Sequence, residues 1–212
     1  MVGVGGQGTV LASEILAQAA LAEGFDVKKS DALGMSQRGG SVVSHVRLGP
    51  RVFSPLVKRG EADILLGFEK LEAARWADHL RPGGLAIIND QAIPPFSVSS
   101  GSEKYPPDEL VLEILHRKTG RVFVVAGSAL AQAAGNPRTL NAAMLGFLSV
   151  ILESPGPNDD RCHVISKDAW LHCLAQALPP TLLEMNILAF EKGRQAAEAA
   201  VSSQQSDISR QP

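Results

Sequence analysis

Residues 1–23 read MVGVGGQGTVLASEILAQAALAE, and the change of pattern along this stretch decides the fold. Met1 to Val4 is apolar and β-branched, the end of a strand, and runs directly into Gly5-Gly6-Gln7-Gly8. From Thr9 to Glu23, Leu11, Ile15, Ala19 and Ala22 recur near helical spacing, and Gly24 supplies the stop. Strand, glycine turn and helix in that order open a βαβ unit.

The same alternation continues downstream. Phe25 to Lys29 reads as a second strand. Ser41 to Leu48 alternates Val42, Ser44, Val46 and Leu48 on one face with Val43, His45 and Arg47 on the other. Gly49-Pro50 breaks it, and Arg51 to Ser54 can return as a hairpin. Ala62 to Phe68 is a buried strand, Glu69 to Leu80 a helix ended by Pro82-Gly83-Gly84, and Leu85 to Asn89 a strand. Asp108 can cap a helix through Lys118, because its carboxylate can accept first-turn N–H groups. Val122 to Ala126 is the last strand. Helices follow at Ser128 to Ala134, Arg138 to Leu152, Lys167 to Leu178 and Thr181 to about Val201, with Ser154 to Asp160 an exposed linker. Residues 1–201 form a single domain, and the tail at 202–212, without apolar pattern, reads as disordered. Strands separated by helices imply a mostly parallel sheet covered on both faces, with one antiparallel hairpin inserted. Ligands of such sheets bind beyond the carboxyl ends of the strands, where the loops at 5–8 and 34–40 both fall.

Composition narrows the function. In 212 residues the net charge is −2 and only 5% are aromatic, which argues against a basic nucleic-acid face or base-stacking platform. No apolar run approaches the ~18 residues of a membrane span, and no signal segment opens the chain, so a cytoplasmic protein is expected. Cys162 and Cys173 are too few for a four-thiolate iron–sulfur cluster and read as free thiols. The five histidines show no paired ligand spacing, so no metal is expected.

Gly3-Val4-Gly5-Gly6-Gln7-Gly8 fits G-x-G-x-x-G between strand and helix. Glycines there permit a tight turn and expose the first helical N–H groups to an anion, or they simply permit close helix–strand packing. Asp26 and Asp31 follow the helix, but neither stands out as the acid of a dinucleotide site. Gly34-Met35-Ser36-Gln37-Arg38-Gly39-Gly40-Ser41 is more distinctive: three glycines surround a glutamine and an arginine whose planar fork suits carboxylate or phosphate. A binding or interface role is favoured over a solvated loop. His45 and Arg47 read as the exposed face of an edge hairpin, and Asp63, Glu69 and Glu72 as caps and surface. Neither a nucleophile elbow nor a Walker lysine occurs. The residues alone suggest a binding or partner subunit rather than a self-sufficient enzyme.

The ordered segments GVGGQGTVLASEILAQAA, GMSQRGGSVVSHVRLG and SPLVKRGEADILLGFEKLEAARW, with GNPRTLNAAMLGFL and EMNILAFEKGR, resemble the gamma subunit or gamma domain of 2-oxoacid:ferredoxin oxidoreductases. The two glycine loops are most similar in wording to the small-subunit branch of the indolepyruvate type. The resemblance spans about residues 1–195 and implies a Rossmann-like three-layer α/β/α sandwich. It further implies oxidative decarboxylation of a 2-oxo acid on thiamine diphosphate, with electrons passing through iron–sulfur clusters to ferredoxin and coenzyme A taking the acyl group. Thiamine diphosphate, clusters and coenzyme A belong to a larger partner subunit, none being bound by this chain alone; it lacks both a thiamine-type GDG…NN run and a cysteine quartet. Carried over position by position, Gly3, Gly5, Gly6, Gln7 and Gly8 would face a cofactor. Gly34, Met35, Gln37, Arg38, Gly39 and Gly40 would form a substrate, coenzyme A or interface loop. No catalytic residue is assigned, and the rivals are an independent NAD(P)- or FAD-binding oxidoreductase and a purely structural assembly subunit. Against the family pattern the first strand is short, which leaves a truncated start or an unusually short strand as the two readings.

Overall fold

The computed structural model describes residues 1–34, 39–153 and 164–208, with side chains through 203. Six strands form one sheet in the order β2-β3-β1-β4-β5-β6. They are β1 Val2–Val4, β2 Asp26–Leu33, β3 Ser41–Gly49, β4 Ala62–Gly67, β5 Leu80–Asn89 and β6 Arg121–Val125. β1, β4, β5 and β6 run parallel, whereas β3 is antiparallel to both β1 and β2. Eight helices are described: α1 Thr9–Ala22, α2 Lys70–Arg75, α3 Phe96–Ser99, α4 Asp108–His116, α5 Gly127–Ala133, α6 Leu140–Glu153, α7 Lys167–Ala177 and α8 Pro180–Ile208.

Period-two alternation in the central strands feeds two cores. Leu66, Leu85, Ile87, Phe123 and Val125 point to the side of α1, α6, α7 and α8. Leu65, Ala86 and Ile88 point to the other, where Ala73 and Ala74 of α2 and Val111 and Leu115 of α4 cover them. A sheet buried on both faces needs such near-continuous apolar runs. Each fully buried Leu or Ile contributes about 1.5–3 kcal/mol. The result is the expected α/β architecture, with α8 as an extra helix packed outside α6.

Helix ends follow local chemistry. α1 stops at Gly24, whose φ of 83° lets Gly24 N donate to Leu21 O and Phe25 N to Ala20 O. Asn136 accepts at its side chain from Arg138 N and so caps the 3-10 turn at Pro137–Thr139.

Several expectations are corrected. The antiparallel hairpin is β2 with β3, in register from Asp26↔Gly49 to Leu33↔Val42, and no strand forms at Arg51 to Ser54. β3 therefore lies inside the sheet instead of on its edge. The helix expected over Glu69 to Leu80 is α2 plus a 3-10 turn at Ala77–His79, broken where Trp76 leaves helical geometry (φ −103°, ψ 5°) to stack on His79, ring centroids 4.5 Å apart. Asp108 caps nothing: Pro107 stands at the cap position, and the Asp108 carboxylate takes Lys70 Nζ at 2.7 Å. α8 continues to Ile208, past Val201. The linker at 154–160, Cys162 and His163 lie outside the described residues.

Candidate functional site

The carboxyl ends of β1, β4 and β5 open onto one edge of the sheet, and so does the amino end of β3. Two glycine segments meet there. The turn after β1 is closed by Gln7 N donating to Val4 O at 3.1 Å. Gly5 N donates to Gly40 O at 2.8 Å, and Gly39 N to Gly5 O at 3.4 Å, which stitches the turn to the end of the β2–β3 connection. Gly34 anchors the other end of that connection by donating from N to Ser41 O at 2.8 Å. Of the predicted loop residues, Gly34, Gly39 and Gly40 are thus located, whereas Met35, Gln37 and Arg38 lie outside the described residues.

Gly8 is the cap of α1, with φ 80° and ψ 23°, and no side chain caps this end. Any Cβ at Gly8 would also lie 2.9 Å from Asn141 Nδ2. Among the described residues, the N–H groups of Gly8, Thr9, Val10 and Leu11 find no acceptor. Four converging amides and the positive end of a helix dipole can hold an anion.

Gln7 turns inward. Its Oε1 accepts from Val4 N at 2.8 Å, and its Nε2 donates to Phe68 O at 2.8 Å and Gln91 Oε1 at 3.2 Å. Its amide hydrogens are thereby committed to the protein. Gly3 makes room for it: a Cβ there would lie 2.9 Å from Gln7 Oε1 and 2.8 Å from Thr9 Oγ1. Thr9 Oγ1 is buried without a hydrogen-bond partner.

Sequence reasoning missed the residues that hold this edge together. Asn89, fully buried at the end of β5, donates from Nδ2 to Phe68 O at 3.0 Å, Gln91 Oε1 at 3.2 Å and Ser128 Oγ at 3.1 Å. Ser128 N returns a bond to Asn89 Oδ1 at 3.0 Å. The available signal was a polar residue closing each buried apolar run: Asn89 after Ile88, and Ser128 just beyond β6.

Beside this network Glu69 caps α2, one of the caps expected of this set, but both Glu69 and Glu72 are buried where surface carboxylates were also expected. Glu69 accepts from Glu72 N at 2.8 Å, Ile93 N at 3.0 Å and Tyr105 Oη at 2.5 Å. Burial, aided by that bond to Glu69, pushes the Tyr105 phenol far up. Glu72 receives Ser41 Oγ at 2.5 Å and Arg75 Nη1 at 2.7 Å. Lys70 Nζ bridges Asp90 at 3.0 Å and Asp108 at 2.7 Å; burial opposes its charge, but the bonds to Asp108 and Asp90 win and its pKa is raised.

Neither acid weighed for a dinucleotide site completes one. β3 separates β2 from β1. The Asp31 carboxylate is taken by Lys29 Nζ at 2.6 Å and Ser44 Oγ at 2.6 Å, and Asp26 accepts from Val52 N at the opposite end of β2. Burial alone would raise the Asp31 pKa, yet Lys29 and Ser44 hold it below the usual value.

Residues 1–196 match the family model for pyruvate ferredoxin/flavodoxin oxidoreductase. The chain belongs to that family. It is similar to the indolepyruvate oxidoreductase subunit IorB of Thermococcus kodakarensis, at 37% identity over 92% of this chain and 93% of that protein. Identity to the protein of the same name in Pyrococcus horikoshii is 36%, with the same shares covered. In fold it is similar to the gamma subunit of keto/oxoacid ferredoxin oxidoreductase from Geobacter sulfurreducens (TM-score 0.63, 21% identity, 93% of this chain and 96% of that one). It is also similar to part of the 2-oxoglutarate:ferredoxin oxidoreductase of Magnetococcus marinus (TM-score 0.66, 21% identity), covering 93% of this chain and 30% of that one. The fold class read from the sequence and its resemblance to oxidoreductase gamma subunits both stand. Among the described residues, no group of three or more His, Cys, Asp or Glu could hold a metal ion, and no helix is long and apolar enough to cross a membrane.

Proposed function

We propose that this chain is the small subunit of a thiamine-diphosphate-dependent 2-oxoacid:ferredoxin oxidoreductase of the indolepyruvate, or aryl pyruvate, type. Within the complex it completes the active site and the channel for coenzyme A and substrate, while a larger subunit carries thiamine diphosphate and the iron–sulfur clusters. The reading is supported by relatives named as indolepyruvate oxidoreductase subunits, similar over nine-tenths of the chain. A further support is the structurally similar Magnetococcus assembly, described with 2-oxoglutarate, coenzyme A and succinyl-CoA bound.

The observation that carries it is the joining of the two glycine loops, Gly5 to Gly40, beside the uncapped amino end of α1. The residues present suit that division of labour. Two cysteines in the whole sequence cannot ligate a four-thiolate cluster, and Cys173 is buried with its thiol pKa raised by that burial. The amides of Gly8 to Leu11 suit a phosphate such as those of coenzyme A. This chain then supplies walls and amides, and the reacting carbon lies on cofactors held elsewhere. In the sequence, Arg38 within the same loop adds a fork for carboxylate or phosphate.

The test is reconstitution with the larger subunit, followed by 2-oxo acid-dependent ferredoxin reduction at varied coenzyme A. Arg38→Ala is expected to leave assembly intact and raise the KM for coenzyme A or the 2-oxo acid about tenfold, the loss of one charge-assisted contact. Unchanged turnover and coenzyme A dependence would favour a scaffold. Saturable micromolar binding of NAD(P)H or FAD to the pure chain would favour a dinucleotide enzyme instead.

A further inference from the structure

Between β5 and α4 the chain leaves the sheet after Asn89 and returns at Asp108, and two Pro-Pro pairs mark its necks, Ile93-Pro94-Pro95 and Tyr105-Pro106-Pro107. Both necks are held by one turn of helix. Glu69, at the cap of α2, accepts from Ile93 N at 3.0 Å and from Tyr105 Oη at 2.5 Å, so it takes the residue before each pair. Lys70, the next residue, bridges Asp90 at 3.0 Å and Asp108 at 2.7 Å, one at each end, and its N donates to Gln91 O at 3.0 Å. Between the necks the segment is bonded to itself. Among the described residues, the hydrogen bonds of 94–104 all close within that stretch: Val98 N to Pro95 O, Ser100 N to Phe96 O, Gly101 N to Val98 O, Glu103 N to Ser97 O, and the Ser97, Ser99, Ser100 and Ser102 hydroxyls likewise. No residue from 91 to 108 is buried, and none belongs to either core.

A unit knit internally, stiffened by proline at both necks and unattached to the core has one soft motion, rotation about its fastening. We propose that residues 92–107 are a lid that opens as one rigid body when the Glu69 and Lys70 clasp lets go, and that opening uncovers this pair beside the glycine turn. Closed, the lid leaves Glu69 only 1% and Lys70 only 8% exposed and takes up most of their hydrogen-bonding capacity. Open, a carboxylate and an ammonium stand next to Phe68, whose carbonyl takes Gln7 Nε2 from the glycine turn. The lid thus controls whether a ligand carrying both a donor and an anionic group meets that pair. The two halves of the clasp differ in kind. Lys70 reaches carboxylates that are more than half exposed, at 54% and 55%, so salt weakens its bridges. The Tyr105 phenol donates without charge to a buried carboxylate, and that bond resists salt.

Residue-resolved amide hydrogen exchange on the 212-residue chain tests this. Tyr105→Phe is expected to speed exchange at Ile93, whose N–H bonds Glu69 across the clasp, about tenfold or more. Ser100, Gly101 and Glu103 inside the lid, and Ile87 and Ile88 in β5, keep the parent's rates, because a rigid lid carries its own bonds with it. Raising salt from about 0.05 M to about 1 M is expected to speed Ile93 in the parent about threefold, again without Ser100, Gly101 or Glu103. Lys70→Met, which keeps the apolar stem, abolishes that salt response. An Ile93 amide unmoved by Tyr105→Phe overturns the proposal. Equal speeding at Ser100, Gly101 and Glu103 overturns it too, since the segment then melts instead of swinging. Should Tyr105→Phe loosen β5 as well, the salt comparison on the parent decides: no selective speeding of Ile93 means no lid.

Discussion

Gly3 and Thr9 touch beneath the glycine turn and make opposite predictions. In Gly3→Ala the new methyl would lie 2.8 Å from Thr9 Oγ1, 2.9 Å from Gln7 Oε1 and 3.0 Å from Phe68 Cβ, with Gln7 pinned by three bonds of its own. Overpacking there is expected to cost about 1–3 kcal/mol, read as a lower denaturant midpoint at unchanged slope. Thr9→Val keeps the shape and removes a buried hydroxyl that has no partner. Its stability should hold, or rise by about 1 kcal/mol, in the same titration. Gly3 was visible as part of a glycine motif; why it must be glycine was not, because Gln7 and Phe68 reach it only after folding. A third residue-scale prediction concerns pH. Burial holds His45 and His79 below the ordinary histidine value, and His79 Nδ1 is buried without a partner. The unfolded chain then binds protons that the folded one refuses, so stability is full above pH ~6.5 and falls as pH drops through it. Between pH 7.5 and 5.5 the His45→Gln, His79→Gln double variant should lose less stability than the parent; equal losses would assign the slope to other groups.

At the scale of elements, α6 and α8 approach until their backbones touch. A Cβ on Gly146 would overlap the Phe190 carbonyl, and one on Gly193 the Ala143 carbonyl, so the two backbones touch with no side chain between them. Neither helix can yield locally: α6 is buried from Leu140 to Ile151, and α8 is tied to it by Arg194, which bonds Glu153 at 2.8 and 2.9 Å. Gly146→Ala and Gly193→Ala are each expected to cost about 3 kcal/mol or more, since a backbone contact must open. An unfolding midpoint within error of the parent's would contradict this packing. Both helices were placed from the sequence, but their contact was not, because a glycine inside a helix does not announce what it faces. Strands β4, β5 and β6 were legible for a physical reason: burial on both faces demands continuous apolar runs. β2 was cut short at Lys29 because DVKKSDAL is an exposed outer strand whose existence depends on pairing with β3. With its true partner unseen, the hairpin was assigned to the wrong side of β3.

At the scale of the whole molecule, the sheet has a working edge and a back edge, and the three most exposed large apolar side chains among the described residues divide between them. Leu33, 68% exposed, ends β2 on the edge that carries Gly5 and Gly40, and Phe96, 85% exposed, follows β5 on that same side. Phe53, 81% exposed, follows the far end of β3 on the opposite edge, with Arg51 stacked 4.9 Å from its ring. If the larger subunit covers the working edge, Leu33 and Phe96 become buried on assembly and Phe53 does not. Aromatic and aliphatic anchors of that kind cost about 2 kcal/mol or more when lost from the centre of an interface, roughly a thirtyfold change in affinity. Leu33→Asp and Phe96→Asp are therefore expected to fold normally and to weaken co-purification with the larger subunit by at least about tenfold, whereas Phe53→Asp assembles like the parent. Equal weakening by all three would place the interface elsewhere on the molecule. Loss of assembly from Phe53→Asp alone would turn the proposed orientation around, leaving the glycine loops facing solvent.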